Sequence, residues 1–308
     1  MKGRPKGRKS DRKNTVICYP LPKDVQDVLP YETLKLPISN LNLGLLFHRY
    51  IAYPKEWRGE IRDALQVRQK LAGRWELEGQ VKNELWRFLE RQANELGNSK
   101  GMRKLIDALK GRMDSIVRTY RDLGFEVKCF TAEVVWRLTV GLGTPSVLDT
   151  GMTLHRIFGI PYIPASAVKG LTHHYVMEEK ELKEDDPQVI KAFGDQKNKG
   201  QVIFLDALPA EYPVFQLDII NPHYGPYYQG SEPPADYHSP KPVYFLTVGR
   251  TRSKGSVFNF CLASKDEDLL SCVERWLKEA LKGFGIGAKT RAGYGELNPA
   301  DGADKGSK

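Results

Sequence analysis

Cysteine is scarce in this chain. Four are present in 308 residues, Cys18, Cys129, Cys261 and Cys272, and none stands in a CxxC or CxxxxC spacing. That argues against a zinc site, and a chain this long has enough core not to need covalent staples, so reduced core thiols are the expectation. Long apolar runs are missing too. No stretch of 18 apolar residues occurs, and Met-Lys-Gly-Arg-Pro-Lys is followed by no apolar leader. The expectation is therefore a cytoplasmic protein with no membrane partner. No acidic cluster has the spacing of a two-metal site, and no Ser/His/Asp or Cys/His set falls into register, so neither metal nor cofactor is expected. Hydrophobic residues at 41% and charged residues at 28% exclude a disordered chain.

Positive charge is abundant, and it is unevenly placed. The formal charge is +9, yet residues 1–127 hold 26 Lys+Arg against 16 Asp+Glu, whereas the rest hold 21 against 22. Residues 1–14 alone carry seven basic residues and one acid, Asp11, with nothing to bury. This reads as a flexible basic arm suited to polyanions, the alternative being a solubilising tail. A proline-spaced extended segment follows, from Tyr19 to Pro37. From Trp57 to Leu123 apolar residues recur at helical spacing, for example Met102, Leu105, Ile106, Leu109 and Met113. Gly79 and Gly97-Asn98-Ser99 divide this stretch into three helices. Their other faces carry Arg87, Arg91, Arg103, Lys104, Lys110, Arg118 and Arg121, for which a solvated surface is the default reading.

The period changes at Val127. Residues 127–140 are β-branched and aromatic enough for one long strand ending at Gly141. A helix is expected to start near Ser166, marked by Pro164, and strands are expected at 201–207, 243–250 and 256–263. The clearest helix comes next: Ser264 and Glu267 read as a capping box, and Leu269, Leu270, Val273, Trp276, Leu277, Ala280 and Leu281 form its apolar stripe. A short strand at 293–297 closes the chain. The predicted fold class is α+β, a ferredoxin-like (RRM-like) β-α-β-β-α-β domain over residues 127–299. Around it lie a mainly helical region at 15–126, a Pro/Tyr-rich insertion at about 208–242, in which Val214–Ile220 supplies part of a hairpin, and a disordered tail at 300–308.

Five glycines, a lysine and an arginine fall within Gly283-Phe-Gly-Ile-Gly-Ala-Lys-Thr-Arg-Ala-Gly-Tyr-Gly295. Without a Cβ the chain reaches positive φ and turns several N–H groups toward one anion, with Lys289 and Arg291 supplying charge. The two readings are a phosphate loop and a ligand-free tight turn. Nucleotide hydrolysis is excluded, because Ala288 precedes Lys289-Thr290 and the run leaves a helix C-terminus, and Thr290 breaks G-x-G-x-x-G. A second anion site is conceivable at Ile163–Gly170, from helix N-terminal amides with Ser166 and Lys169; capping alone also explains Pro164 and Ser166.

Together, Gly159-Ile-Pro-Tyr-Ile-Pro-Ala-Ser-Ala-Val-Lys-Gly170, Phe193-Gly194 with Gly200-Gln-Val-Ile-Phe-Leu-Asp-Ala207, and the Gly283–Gly295 run resemble the RAMP superfamily of CRISPR-associated proteins. Asp218-Ile-Ile-Asn-Pro-His-Tyr-Gly-Pro-Tyr-Tyr228 resembles a subunit of the type III-B Cmr effector complex within it. The resemblance covers Gly141 to Gly295, and it departs from the family pattern where Ala165 and Ala167 replace a glycine and a serine. It implies a structural subunit that holds guide RNA and target RNA beside other Cmr subunits: the backbone RAMP subunit, the small helical subunit and the other head-end RAMP subunit. The RNA contacts it implies are Gly285, Gly287, Lys289, Thr290, Arg291 and Gly293, with Ser166 and Lys169, and with His155 and Arg156 along the path. Such contacts to the backbone are independent of sequence. Tyr294 either stacks on a base or belongs to the core.

No catalysis is expected, although three residues are weak candidates. His173 or His174 can serve as acid or base in metal-independent RNA cleavage, as in some relatives, but neighbours on a helix point about 100° apart and do not act as a pair. Asp149 sits in a loop where backbone subunits carry a cleaving aspartate; a turn residue is the alternative. The insertion, with Tyr224, Tyr227 and Tyr228 and little charge, suits a partner interface or base stacking better than phosphate binding, the alternative being a loop folded over the sheet.

Overall fold

The computed structural model describes residues 17–18, 42–48, 53–54, 75–144, 146, 148, 150–221, 227, 230–231, 233 and 242–300. After a two-residue strand pair, Ile17–Cys18 with Tyr53–Pro54, and a short helix at Leu43–His48, come two long helices: α1, Trp75–Gly97, and α2, Lys100–Asp122. The expected break at Gly79 does not occur. One glycine in a helix interior costs only about 1 kcal/mol, and α1 runs through it; the stretch from Trp57 to Arg74 lies outside the described residues. The break at 97–99 does occur. Ser99 accepts a hydrogen bond from Met102 N at 3.1 Å and caps α2.

The main sheet is antiparallel. Strand β1, Glu126–Val134, pairs with β6, Val257–Ser264, from Glu126 opposite Ser264 to Glu133 opposite Val257. On the other side β1 pairs with β7, Leu297–Ala300, and β6 pairs with the short strands β2, Ile203–Phe204, and β3, Leu208–Pro209. The order is β2-β6-β1-β7. Helices α3, Ala165–Glu179, and α5, Glu267–Gly283, pack on this sheet, with α4, Pro187–Phe193, beside them. Phe130, Ala132 and Val134 of β1, Phe258, Phe260 and Leu262 of β6, and the α5 stripe form one buried cluster. Each large apolar side chain there contributes about 1.5–3 kcal/mol. The architecture is α+β with an antiparallel sheet.

Several boundaries differ from the sequence expectation, and the strand expected at 201–207 is confined to Ile203–Phe204. β1 ends at Val134, not residue 140, because the chain bends and Leu138 exchanges backbone hydrogen bonds with Val248 instead. Val248 belongs to β5, Val243–Val248, which pairs with β4, Phe215–Ile220, in a separate two-stranded sheet. The residues expected as a main-sheet strand at 243–250 thus complete the hairpin of the insertion. The α5 cap is Asp266, whose carboxylate accepts from Leu269 N at 2.9 Å, while Ser264 Oγ accepts from Asp266 N. The last strand begins at Leu297, since Gly293–Glu296 are used by the preceding loop.

The cysteine expectation is also corrected. Cys129 and Cys261 stand opposite each other across β1 and β6 with Cα atoms 4.2 Å apart, and they are joined by a disulfide. Directly opposed positions in antiparallel strands bring side chains within bonding reach, a fact of register that residue spacing does not reveal. Cys272 is free.

Candidate nucleic-acid interface

Helix α5 stops at Phe284, and the chain then passes through five residues at positive φ: Gly285, Gly287, Lys289, Gly293 and Gly295. Most of its amides are used internally. Ile286 N donates to Gly295 O, Ala288 N to Thr139 O, and Gly295 N to Arg137 O, at 2.8, 2.8 and 2.7 Å. Ala292, Gly293 and Tyr294 donate to carbonyls of residues 289 and 290. The amides of Gly287, Lys289, Thr290 and Arg291 have no acceptor among the described residues. Two glycines hold this geometry by close approach: a Cβ on Gly287 would lie 2.3 Å from Thr139 O, and one on Gly295 2.0 Å from Ile286 O.

The two cations face different sides. Arg291 is exposed and, with Thr290, lines a cleft of about 770 Å³ between the loop and α3, whose wall includes Ala167, Gly170 and His174 and, toward the end of α3, the acidic Glu178 and Glu179. Two of the three segments singled out by the family resemblance, 159–170 and 283–295, far apart in sequence, thus both line one cleft. Lys289 turns the other way, its ammonium 5.7 Å from the Phe245 ring and 6.0 Å from the Tyr294 ring. Tyr294 is buried, donating to Asp218 Oδ2 at 2.6 Å, and the same oxygen takes Arg137 at 2.6 Å. Burial first, and the Asp218 carboxylate second, push its phenol up to about 12. Tyr294 is therefore a core residue rather than an open stacking ring.

The start of α3 is less open. The Ala165 amide donates to Asp206 Oδ1 at 2.7 Å, so an internal carboxylate already sits where an external anion was expected. Lys169 donates to Phe193 O at 2.7 Å, and Ser166 is exposed. His155 accepts from the amides of Ile157 and Phe158 and stacks 4.4 Å from the Phe158 ring. Burial holds its imidazole below the usual value, opposed by Asp206 and reinforced by Arg112. Arg156 beside it is exposed.

His173 is half-buried, edge-on to Phe193 at 5.1 Å, and His174 is exposed, edge-on to Phe284 at 5.4 Å, so the two rings diverge. Asp149, Tyr224 and Tyr228 lie outside the described residues, and Tyr227 is half exposed. One candidate was missed by sequence reasoning. Trp136 was absorbed into a long strand, yet it lies past the end of β1 and is 45% exposed. A single aromatic at a strand end carries no periodic signal by which to find it.

Over residues 131–298 the chain matches the RAMP superfamily, and it belongs to that family. It is similar to CRISPR system Cmr subunit Cmr6 of Pyrococcus furiosus, with 35% identity covering 52% of this chain and 64% of that protein. It is likewise similar to Cmr6 of Saccharolobus solfataricus, with 32% identity covering 63% of this chain and 62% of the relative. These matches therefore span less than two thirds of the curated relatives' length. The fold resembles a chain in the cryo-EM structure of the type III-B Cmr-beta bound to cognate target RNA, with a TM-score of 0.60 and 21% identity over 87% of this chain and 94% of that one. Among the described residues no helix is long and apolar enough to cross a membrane.

Proposed function

We propose that this chain is a non-catalytic, cytoplasmic RNA-binding subunit of a type III-B Cmr RNA-guided effector complex in antiviral defence. The observation that carries the reading is the loop after α5, which leaves four amides without an internal acceptor next to Arg291 on the cleft side and Lys289 on the other. Unpaired amides with adjacent cations bind phosphate oxygens irrespective of base, as a subunit needs when the guide RNA reads sequence by pairing. Gly285, Gly287, Thr290 and Gly293 shape this surface; the further RNA contacts proposed are Ser166 and Arg156, both exposed, and Lys169 and His155, which already hold hydrogen bonds within the fold. Similarity to the two Cmr6 subunits supports membership of the complex. The sixth subunit is also the one that Asp218–Tyr228 resembles in particular. The order β2-β6-β1-β7, with α3 and α5 packed on the sheet, supports a ferredoxin-like domain. The backbone RAMP subunit, the small helical subunit and the other head-end RAMP subunit are the proposed neighbours, with Tyr224, Tyr227 and Tyr228 at an interface.

Tagged protein isolated from its native host is expected to bring down Cmr subunits together with a small guide RNA. Recovery of the chain alone, with neither, sinks the proposal. A second reading, a histidine-dependent endoribonuclease, has one observation in its favour: His174 lines the same cleft as Arg291. Cleavage of labelled RNA by the isolated chain, abolished by His174→Ala, would establish it.

A further inference from the structure

Trp136 is left open where the other tryptophans with described side chains, Trp86 and Trp276, are buried to 1% and 5% exposure. An indole has the largest apolar surface of any side chain, and leaving nearly half of it in water forgoes burial that the fold obtains elsewhere. Its position is nevertheless tightly set. The ring centroid lies 4.8 Å from Tyr294 and 5.4 Å from the Arg137 guanidinium carbon. Tyr294 and Arg137 are in turn both anchored on Asp218. Two backbone bonds, Gly295 N to Arg137 O and Ala288 N to Thr139 O, fasten the residues after Trp136 to the loop with the unpaired amides. Tyr294, which the ring contacts, also lies under the Lys289 ammonium, as does Phe245.

We propose that Trp136 is a nucleobase-stacking platform for single-stranded RNA, a site that rests on the RNA-binding reading above and adds a base contact to its phosphate contacts. Single-stranded nucleic acid is held by this pairing of features, cations and amides along the backbone and an aromatic face for a base, and every base offers a π-face so the contact is tolerant of sequence. Arg137 is balanced by Asp218, which leaves Lys289 as the cation of the cluster available to a polyanion. An exposed tryptophan can equally anchor a protein partner, but that alternative leaves the adjoining phosphate-type loop unexplained. Because Tyr294 and Arg137 hold the ring in advance, a base docking on it loses little freedom in ordering the protein side.

The test is binding of labelled single-stranded RNA to the full chain, measured by fluorescence anisotropy across a salt series. Trp136→Ala is expected to weaken binding by about tenfold, and Trp136→Phe to keep most of the affinity. The slope of log K against log salt should stay at the wild-type value for both, since no phosphate contact is lost. On an RNA whose bases are replaced by abasic sites, wild type and Trp136→Ala should bind alike. If wild type binds RNA and Trp136→Ala binds equally well, the platform is wrong while the RNA reading stands. An equal loss on abasic RNA also overturns stacking. Trp136→Ala that keeps RNA affinity but no longer associates with a Cmr subunit makes the ring a protein contact instead. Wild type without RNA affinity removes the RNA reading itself. Thermal melting separates these results from misfolding: Trp136→Phe is expected near wild type, and Trp136→Ala, which loses the contacts with Tyr294 and Arg137, is expected to melt somewhat lower but still in one cooperative transition.

Discussion

At Gly295 the backbone takes φ +78°, and a Cβ would sit 2.0 Å from the Ile286 carbonyl oxygen, so this glycine is required by the fold. Gly283, twelve residues earlier in the same run, meets nothing within 4 Å and closes α5. Gly295→Ala is therefore expected to destabilise the protein by at least about 2 kcal/mol, through left-handed strain and the clash. Gly283→Ala should be neutral or stabilising by up to about 1 kcal/mol. Urea denaturation of the two variants checks both, and equal effects would mean that the close approach is not as described. Sequence alone marks five glycines as alike, because composition does not report what lies across from each one. The same holds for the cations. Lys289 and Arg291 are two residues apart, yet one lies over aromatic rings and the other lines the cleft.

Among the elements, α5 was the most legible. All seven residues of its predicted stripe are buried, since a helix facing a sheet repeats its apolar positions at a local period. Strands were read less well. β1 and the segment after it share one apolar composition, but the chain changes sheets between Val134 and Leu138, and nothing in that composition marks a change of partner. The edge of β4 shows how non-local such partners are. Asn94 of α1 accepts from Phe215 N and donates to Phe215 O, both at 2.9 Å, in place of a neighbouring strand, and Glu90 accepts from Leu217 N. Asn94→Ala leaves both backbone groups of Phe215 without partners, at an expected cost of about 1–3 kcal/mol. Denaturation midpoints measure this. Unchanged stability would show that the hairpin does not depend on α1 for its edge.

For the whole molecule, the positive charge favours a polyanion, while the cleft sets Arg291 against Glu178 and Glu179, so the loop and not the whole cleft is the anion-favouring part. The net charge of +9 draws polyanions nonspecifically, and the loop adds a localised contribution that a mutation can subtract. Lys289→Ala/Arg291→Ala is expected to flatten the slope of log K against log salt for single-stranded RNA by roughly 1.4, at about 0.7 per phosphate contact. If affinity and slope are both unchanged, the loop serves only the fold. The family motifs were legible because short glycine and proline patterns record local backbone requirements. The sequence by itself determined the α+β class, the α5 stripe, the glycine loop and the family, all of which rest on local periodicity or short motifs. Only the tertiary structure decided which loop amides stay unpaired, that Asp206 occupies the α3 N-terminus, that Cys129 meets Cys261, and that Trp136 stands open. Each of those depends on the distance between residues remote in the chain, and that distance exists only once the sheet has closed.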